Sequence, residues 1–195
     1  HGADNNRHAT DWHAQQLIGA GYGVLMYDLR GPGDSYGKLT MFNDVESHTG
    51  DLMAAVDFLN NNAGIKRNHM AVLGLSLGAY ITLNLNTRDL NQFAALWMDG
   101  LRGENFRAEP IPNTISEYAM NILMKPLNPI GELYSGEKAP KSLPRFTDII
   151  PTITKPKLML VASGLDIEEN AINKSFVPLI KDNKQIWFIE NSWHI

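Results

Sequence analysis

His69-Met70-Ala71-Val72-Leu73-Gly74-Leu75-Ser76-Leu77-Gly78-Ala79-Tyr80 (69–80) runs from an apolar, strand-like segment through Gly-x-Ser-x-Gly into a helical pattern over 77–87. A strand ending at Leu75 and a helix starting at Leu77 leave Ser76 alone to make the turn, which pushes its backbone toward a strained conformation. Glycine two positions before and two after removes side chains that would clash there. The spacing therefore predicts Ser76 Oγ presented above a sheet, at the start of a helix. The flanking strand and helix distinguish this from a glycine-flanked loop with the same letters.

Working outward, four further apolar segments have strand character: 23–28 (GVLMYD), 92–99 (QFAALWMD), 157–163 (KLMLVAS) and 185–190 (QIWFIE), each bounded by Gly, Asn, Asp or Pro. Between the first strand and 69–75, Val45, His48, Leu52, Ala55, Val56 and Leu59 recur at spacings of three and four, opposite Asp51, Asp57 and Asn60. That periodicity predicts an amphipathic helix. Further helices are expected at about 8–20, 77–87 and 168–182, the last kinked by Pro178. Alternating strands and helices imply a mostly parallel sheet, covered on both faces, with any active site at the carboxyl ends of the strands. Seven of the ten prolines fall within 100–155. This segment reads as a cap inserted between a first core part, 1–99, and a second, 156–195, with one short helix near 115–124.

Composition narrows the function. With 17 basic and 21 acidic residues in 195, the chain carries a net charge of −4 and lacks the cationic surplus that phosphates or anionic lipids attract. Nucleic acid is not an expected partner. Zero cysteines exclude disulfides, a thiolate nucleophile and cysteine-ligated metal or iron–sulfur sites. No apolar run approaches the roughly 20 residues of a membrane-spanning helix. A cytoplasmic chain is favoured, but His1 is not an initiator Met and the N-terminus reads as truncated, so an upstream signal or membrane anchor stays open. Gly31–Lys38 lacks the spacing and the Ser or Thr of a phosphate loop, and His8 and His13 are five apart, off one helical face. Asn173-Lys174-Ser175 matches a glycosylation acceptor, a pattern too common to carry weight alone.

A serine hydroxyl needs a base within hydrogen-bond reach and an acid to orient that base. His194 follows the 185–190 strand, and Asp166 lies in the turn Gly164-Leu165-Asp166 after 157–163, so both leave the same sheet edge as Ser76. The order Ser, Asp, His fits a nucleophile elbow on an α/β sheet. Asp99, ending the 92–99 strand, is the alternative acid, and whichever aspartate is not used is expected to cap the next segment. Glu168 and Glu169 read as first-turn residues favoured by the helix dipole.

His1-Gly2, then Tyr27-Asp28-Leu29-Arg30-Gly31-Pro32-Gly33-Asp34-Ser35, then the Gly74–Gly78 turn, Gly164-Leu165-Asp166 and the terminal Trp193-His194-Ile195 together resemble the α/β-hydrolase superfamily over nearly all of the chain apart from the cap. Within it the chain looks most like bacterial acyl hydrolases near the serine aminopeptidases and prolyl-oligopeptidase-type enzymes. Two positions depart from the usual pattern: Pro32 where the family often has His, and Ala79 where it often has Gly. The resemblance implies an oxyanion hole made by the backbone N–H groups of Leu77 and Ala3. It also implies a chain that starts after the third strand and stops before the last helix, with the early strands missing.

The expected function is a serine hydrolase that cleaves a small-molecule or peptide ester, thioester or amide through Ser76, His194 and Asp166, without metal or organic cofactor. Phe106, Ile115, Tyr118, Met120, Leu123 and Met124 suggest an apolar acyl pocket in the cap. The competing expectation is an inactive hydrolase-like fragment or binding module that keeps the fold without turnover.

Overall fold

In the computed structural model, which describes residues 1–3, 5–37, 45–103 and 143–194, four parallel strands lie side by side in chain order. They are β1 (Ala71–Leu75), β2 (Ala95–Asp99), β3 (Lys157–Ser163) and β4 (Lys184–Ile189). The register aligns Leu75 with Asp99, Asp99 with Val161 and Val161 with Trp187, so the carboxyl ends form one edge. The ladder continues beyond the strands: Ser76 N–H donates to Asp99 O (2.7 Å), Gly100 N–H to Val161 O (3.3 Å) and Gly164 N–H to Ile189 O (2.8 Å). The loops that follow the strands are therefore stitched together where the site lies.

Six helices accompany the sheet among the described residues: α1 (Asp11–Gly19), α2 (Val45–Ala63), α3 (Leu77–Leu83), α4 (Thr87–Leu90), α5 (Phe146–Ile149) and α6 (Ile167–Phe176). Helix α2 buries His48, Leu52 and Val56, the stripe that the periodicity predicts. Helix α3 packs on β1, β2 and α2 and buries Ala79, Ile81, Thr82 and Leu83. Its apolar character all round follows from that position between layers. Helix α6 packs on β3 and ends at Phe176, two residues before Pro178, where a 3₁₀ turn, Val177–Leu179, takes over. The ring of Pro178 would clash with the helical carbonyl four residues earlier, so the predicted kink is a helix end. Leu96, Met98, Leu101, Phe146, Ile150 and Phe176 are fully enclosed in the core, each worth about 1.5–3 kcal/mol over exposure.

Residues 23–28, expected as a strand, run as irregular chain with no ladder partner among the described residues. A cleft lined by Leu25, Tyr27 and Leu29 on one side and by Met70, Ala71 and Val72 on the other separates this segment from β1. An extended segment becomes a strand only when a neighbour takes its backbone bonds, and none among the described residues does so here. Its end is nevertheless fixed. Asp28 accepts from Arg7 N–H (2.7 Å) and Asp34 N–H (2.8 Å) and pairs with the Arg7 side chain, contacts that hold its carboxyl below the usual range, led by the Arg7 amide. Arg30 forks onto Asp51 of α2 through Nε (2.6 Å) and Nη2 (2.7 Å).

Most of the 100–155 segment read as a cap, with its expected helix near 115–124 and all six suggested pocket residues, lies outside the described residues. Its end, α5 and the following 3₁₀ turn Ile150–Thr152, packs into the core through Phe146 and Ile150. Among the described residues no helix is long and apolar enough to cross a membrane.

Candidate active site

Ser76 sits between β1 and α3 with φ +47° and ψ −112°, a conformation that costs a non-glycine residue on the order of 1–3 kcal/mol. The glycines permit it. A Cβ at Gly74 would stand 2.6 Å from the Gly78 carbonyl and the Ala79 nitrogen, and one at Gly78 would meet the His1 backbone at 3.3 Å. Gly78 N–H donates to His1 O (3.2 Å), which ties the His1-Gly2 loop to the turn. His1 is locked in one tautomer, Nδ1–H donating to Gly2 O (2.8 Å) while Nε2 accepts Leu29 N–H (2.8 Å). A Cβ at Gly2 would lie 3.6 Å from that of Ser76, so the residue before Ala3 stands against the serine. Leu77 is the first residue of α3, where backbone N–H groups have no intrahelical acceptor.

Ser76 Oγ lies 3.1 Å from His194 Nε2, bridging 118 residues of sequence. The imidazole's other nitrogen meets Glu169, not Asp166: His194 Nδ1 to Glu169 Oε2 is 2.7 Å. A carboxylate only accepts, so the proton is on Nδ1 and Nε2 is free to accept from Ser76. Glu169 is completely buried, and its second oxygen accepts Ser163 N–H (2.6 Å). Ser163, the last residue of β3, also donates its hydroxyl to Trp193 O (2.9 Å), and Leu165 N–H donates to Ser192 O (2.9 Å). One strand end thus holds both Glu169 and the loop that carries His194.

Asp166 is the N-cap of α6, its Oδ1 accepting Glu169 N–H (2.9 Å), and Oδ2 pairs with Arg102 (3.1 Å). The physical reason for the exchange is the cap itself. A carboxylate folded back onto its own helix cannot also reach out to the imidazole, whereas a side chain three residues on, one turn up the helix, can. The signal was present in the sequence: Asp166-x-x-Glu169 has the spacing of an N-cap followed by an acid at the third helical position. In a capping box that acid bonds back to the cap; here Ser163 and His194 take it instead.

Gly100 escaped the sequence reading. At φ +79°, a Cβ there would stand 3.0 Å from His194 Cε1 and 3.3 Å from Nδ1, so only glycine leaves room for the imidazole. Atoms of Asp166, Glu169 and His194 lie within 4.8 Å of one another, close enough to surround a metal ion. Each of the four carboxylate oxygens already accepts from a backbone amide, the imidazole or Arg102, so the group is also a hydrogen-bonded relay.

Asp99 is buried beside this relay. Burial, reinforced by the charge of Glu169, pushes its carboxyl up from 3.8 to about 6. The folded state therefore holds this proton more tightly than the unfolded chain does. The resulting stability is fully present below about pH 4 and is lost as pH rises through 6, on the order of 3 kcal/mol in all. Denaturant melts of Asp99→Asn at pH 4 and pH 8 are expected to show a smaller difference than the parent protein by about that amount.

A parallel sheet flanked by helices, with a strained serine on the turn after one strand, a carboxylate in the helix after a later strand and a histidine on the loop after β4, defines an α/β hydrolase fold. The family profile described as "Serine aminopeptidase, S33" matches residues 1–98, half of the chain, and the chain belongs to that family. An uncharacterised protein, RP471, of Rickettsia prowazekii (strain Madrid E) is 32% identical over 109 residues, 55% of this chain and 39% of that protein. The chain thus spans well under half the length of this curated relative. Among solved structures, the α/β hydrolase GrgF from Penicillium sp. sh18 superposes with a TM-score of 0.67 at 17% identity, covering 100% of this chain and 80% of that one. A monoacylglycerol lipase of Paleococcus ferrophilus gives 0.66 at 16%, covering 100% and 84%. The esterase EaEST of Exiguobacterium antarcticum gives 0.60 at 15%, covering 96% and 80%.

Proposed function

We propose that this protein is a serine hydrolase that cleaves a carboxylic ester, thioester or amide by acyl transfer, with Ser76 as nucleophile, His194 as general base and acid, and Glu169 as the orienting acid. The observation that carries the reading is the unbroken relay from Ser76 Oγ through both nitrogens of His194 to Glu169, at 3.1 and 2.7 Å. His194 Nε2 takes the hydroxyl proton as Oγ attacks the acyl carbon, and the carbonyl electron pair moves onto its oxygen. The backbone N–H groups of Leu77 and Ala3 stabilise that oxyanion, each worth about 3–4 kcal/mol. On collapse the imidazolium gives its proton to the departing alcohol, thiol or amine. Water, activated by the same imidazole, then releases the acid and restores Ser76.

Glu169 stabilises the imidazolium without taking its proton. The acyl substrate is a small molecule or peptide. A fluorophosphonate probe tests the reading: covalent labelling at Ser76, found by peptide mass mapping and abolished in Ser76→Ala, is expected. An unlabelled, folded protein would leave the binding-module reading in its place.

A further inference from the structure

We infer that Arg102, from the loop after β2, is a positioning residue for this relay: its guanidinium, shared between Asp166 and Glu168, holds the first turn of α6 so that Glu169 meets His194. The inference rests on the relay proposed above. Three carboxylates, Asp166, Glu168 and Glu169, crowd that one turn, all buried. Close like charges repel strongly where water is excluded. A single nitrogen, Arg102 Nη2, lies 3.1 Å from Asp166 Oδ2 and 3.3 Å from Glu168 Oε2. Asp166 can then stay folded back as the cap and keep the Glu169 amide in place.

The backbone that carries the guanidinium is itself anchored. Arg102 N–H donates to Tyr80 Oη (2.8 Å), and the Tyr80 ring packs edge-on against Phe146 with centroids 5.3 Å apart. Burial pushes that phenol up to about 12, so it stays neutral at working pH and does not compete with the carboxylates for the cation. On the inner side of α6, Asn173 of the same helix donates to Leu101 O (2.9 Å), so the segment 101–102 is fastened to α6 at two levels. Among the described residues, the charged or titratable groups around the imidazole and its acid are Glu169, Asp166 and Glu168 from α6, Asp99 from β2, Tyr80 from α3 and Arg102.

Removing the Arg102 charge makes these surroundings more negative, which favours the imidazolium form and delays the base to higher pH. In purified protein assayed with p-nitrophenyl acetate, Arg102→Gln is expected to lower kcat by about tenfold to a hundredfold, with KM within about threefold. The acid limb of its kcat/KM profile is expected to move up by roughly half a pH unit. Arg102→Lys is expected to restore both, because one ammonium can occupy the place of the single bridging nitrogen. Adding Glu168→Gln to Arg102→Gln removes one of the three crowded carboxylates and is expected to return the limb toward its parent position, a readout that an unfolded or merely loosened loop would not produce. A limb that stays fixed in Arg102→Gln, or that moves equally in Arg102→Lys, overturns this inference alone. A parent protein that neither turns over the ester nor labels at Ser76 overturns both this inference and the hydrolase reading.

Discussion

Replacing Ser76 by alanine is expected to lower kcat on ester substrates by roughly six orders of magnitude while leaving KM within a few-fold, as loss of a triad nucleophile does. The rest of the relay would stay in place, since Ser76 contributes only its hydroxyl to the His194 contact. The residue makes a second prediction of opposite sign. At φ +47° an alanine keeps the backbone strain, whereas glycine relieves it. Ser76→Gly should therefore be equally inactive yet more stable than Ser76→Ala by about 1 kcal/mol or more. Melting curves of the two variants beside the activity assay separate these effects. A Ser76→Ala protein that keeps its turnover would remove Ser76 from the chemistry.

The fold was legible because its signals are local. An apolar strand, a glycine-spaced turn and a helical stripe within 69–87 specify the elbow, and β2, β3 and β4 carry enough apolar character to stand out between turn residues. The 23–28 segment shows the limit of such reasoning. Its composition is that of a strand, but strand formation is settled by a neighbour's hydrogen bonds, which no property of the segment encodes. The kink expected at Pro178 is a helix end instead: only four of the expected helical residues, 179–182, lie beyond the proline, so ending there forgoes little more than one turn of helix.

At the site, Ser76 and His194 could be placed because each follows a recognisable strand, and strand ends share an edge. The carboxylate that meets the imidazole could not be chosen that way, because Asp166 and Glu169 leave the same strand end and differ only in which one folds back to cap α6. That choice depends on competition for the helix's free amides. Gly100 was invisible for the complementary reason: its importance lies in the space a distant imidazole occupies, 94 positions along the chain.

Glu169→Gln is expected to cost about 10⁴ in kcat, the loss typical of an orienting carboxylate replaced by its amide. The glutamine would be nearly isosteric, and one oxygen must still accept Ser163 N–H. Its NH₂ group would then face His194 Nδ1, two donors meeting where a carboxylate accepted. The contact can be kept only if the imidazole changes tautomer, which puts the proton on Nε2 and leaves no acceptor for the Ser76 hydroxyl. If the amide instead turns over, the clash moves to Ser163 N–H and loosens the strand end that holds both partners. Asp166→Asn differs in kind, because asparagine caps a helix as well as aspartate does and only the pairing with Arg102 is weakened. Its loss is expected to be about tenfold. Asp99→Asn touches neither bond of the relay and is expected to fall below both. Measuring kcat for the three variants at the pH optimum ranks them directly. A severe loss for Asp166→Asn with a mild one for Glu169→Gln would return the orienting role to Asp166, whose carboxylate lies within 4.8 Å of the same imidazole.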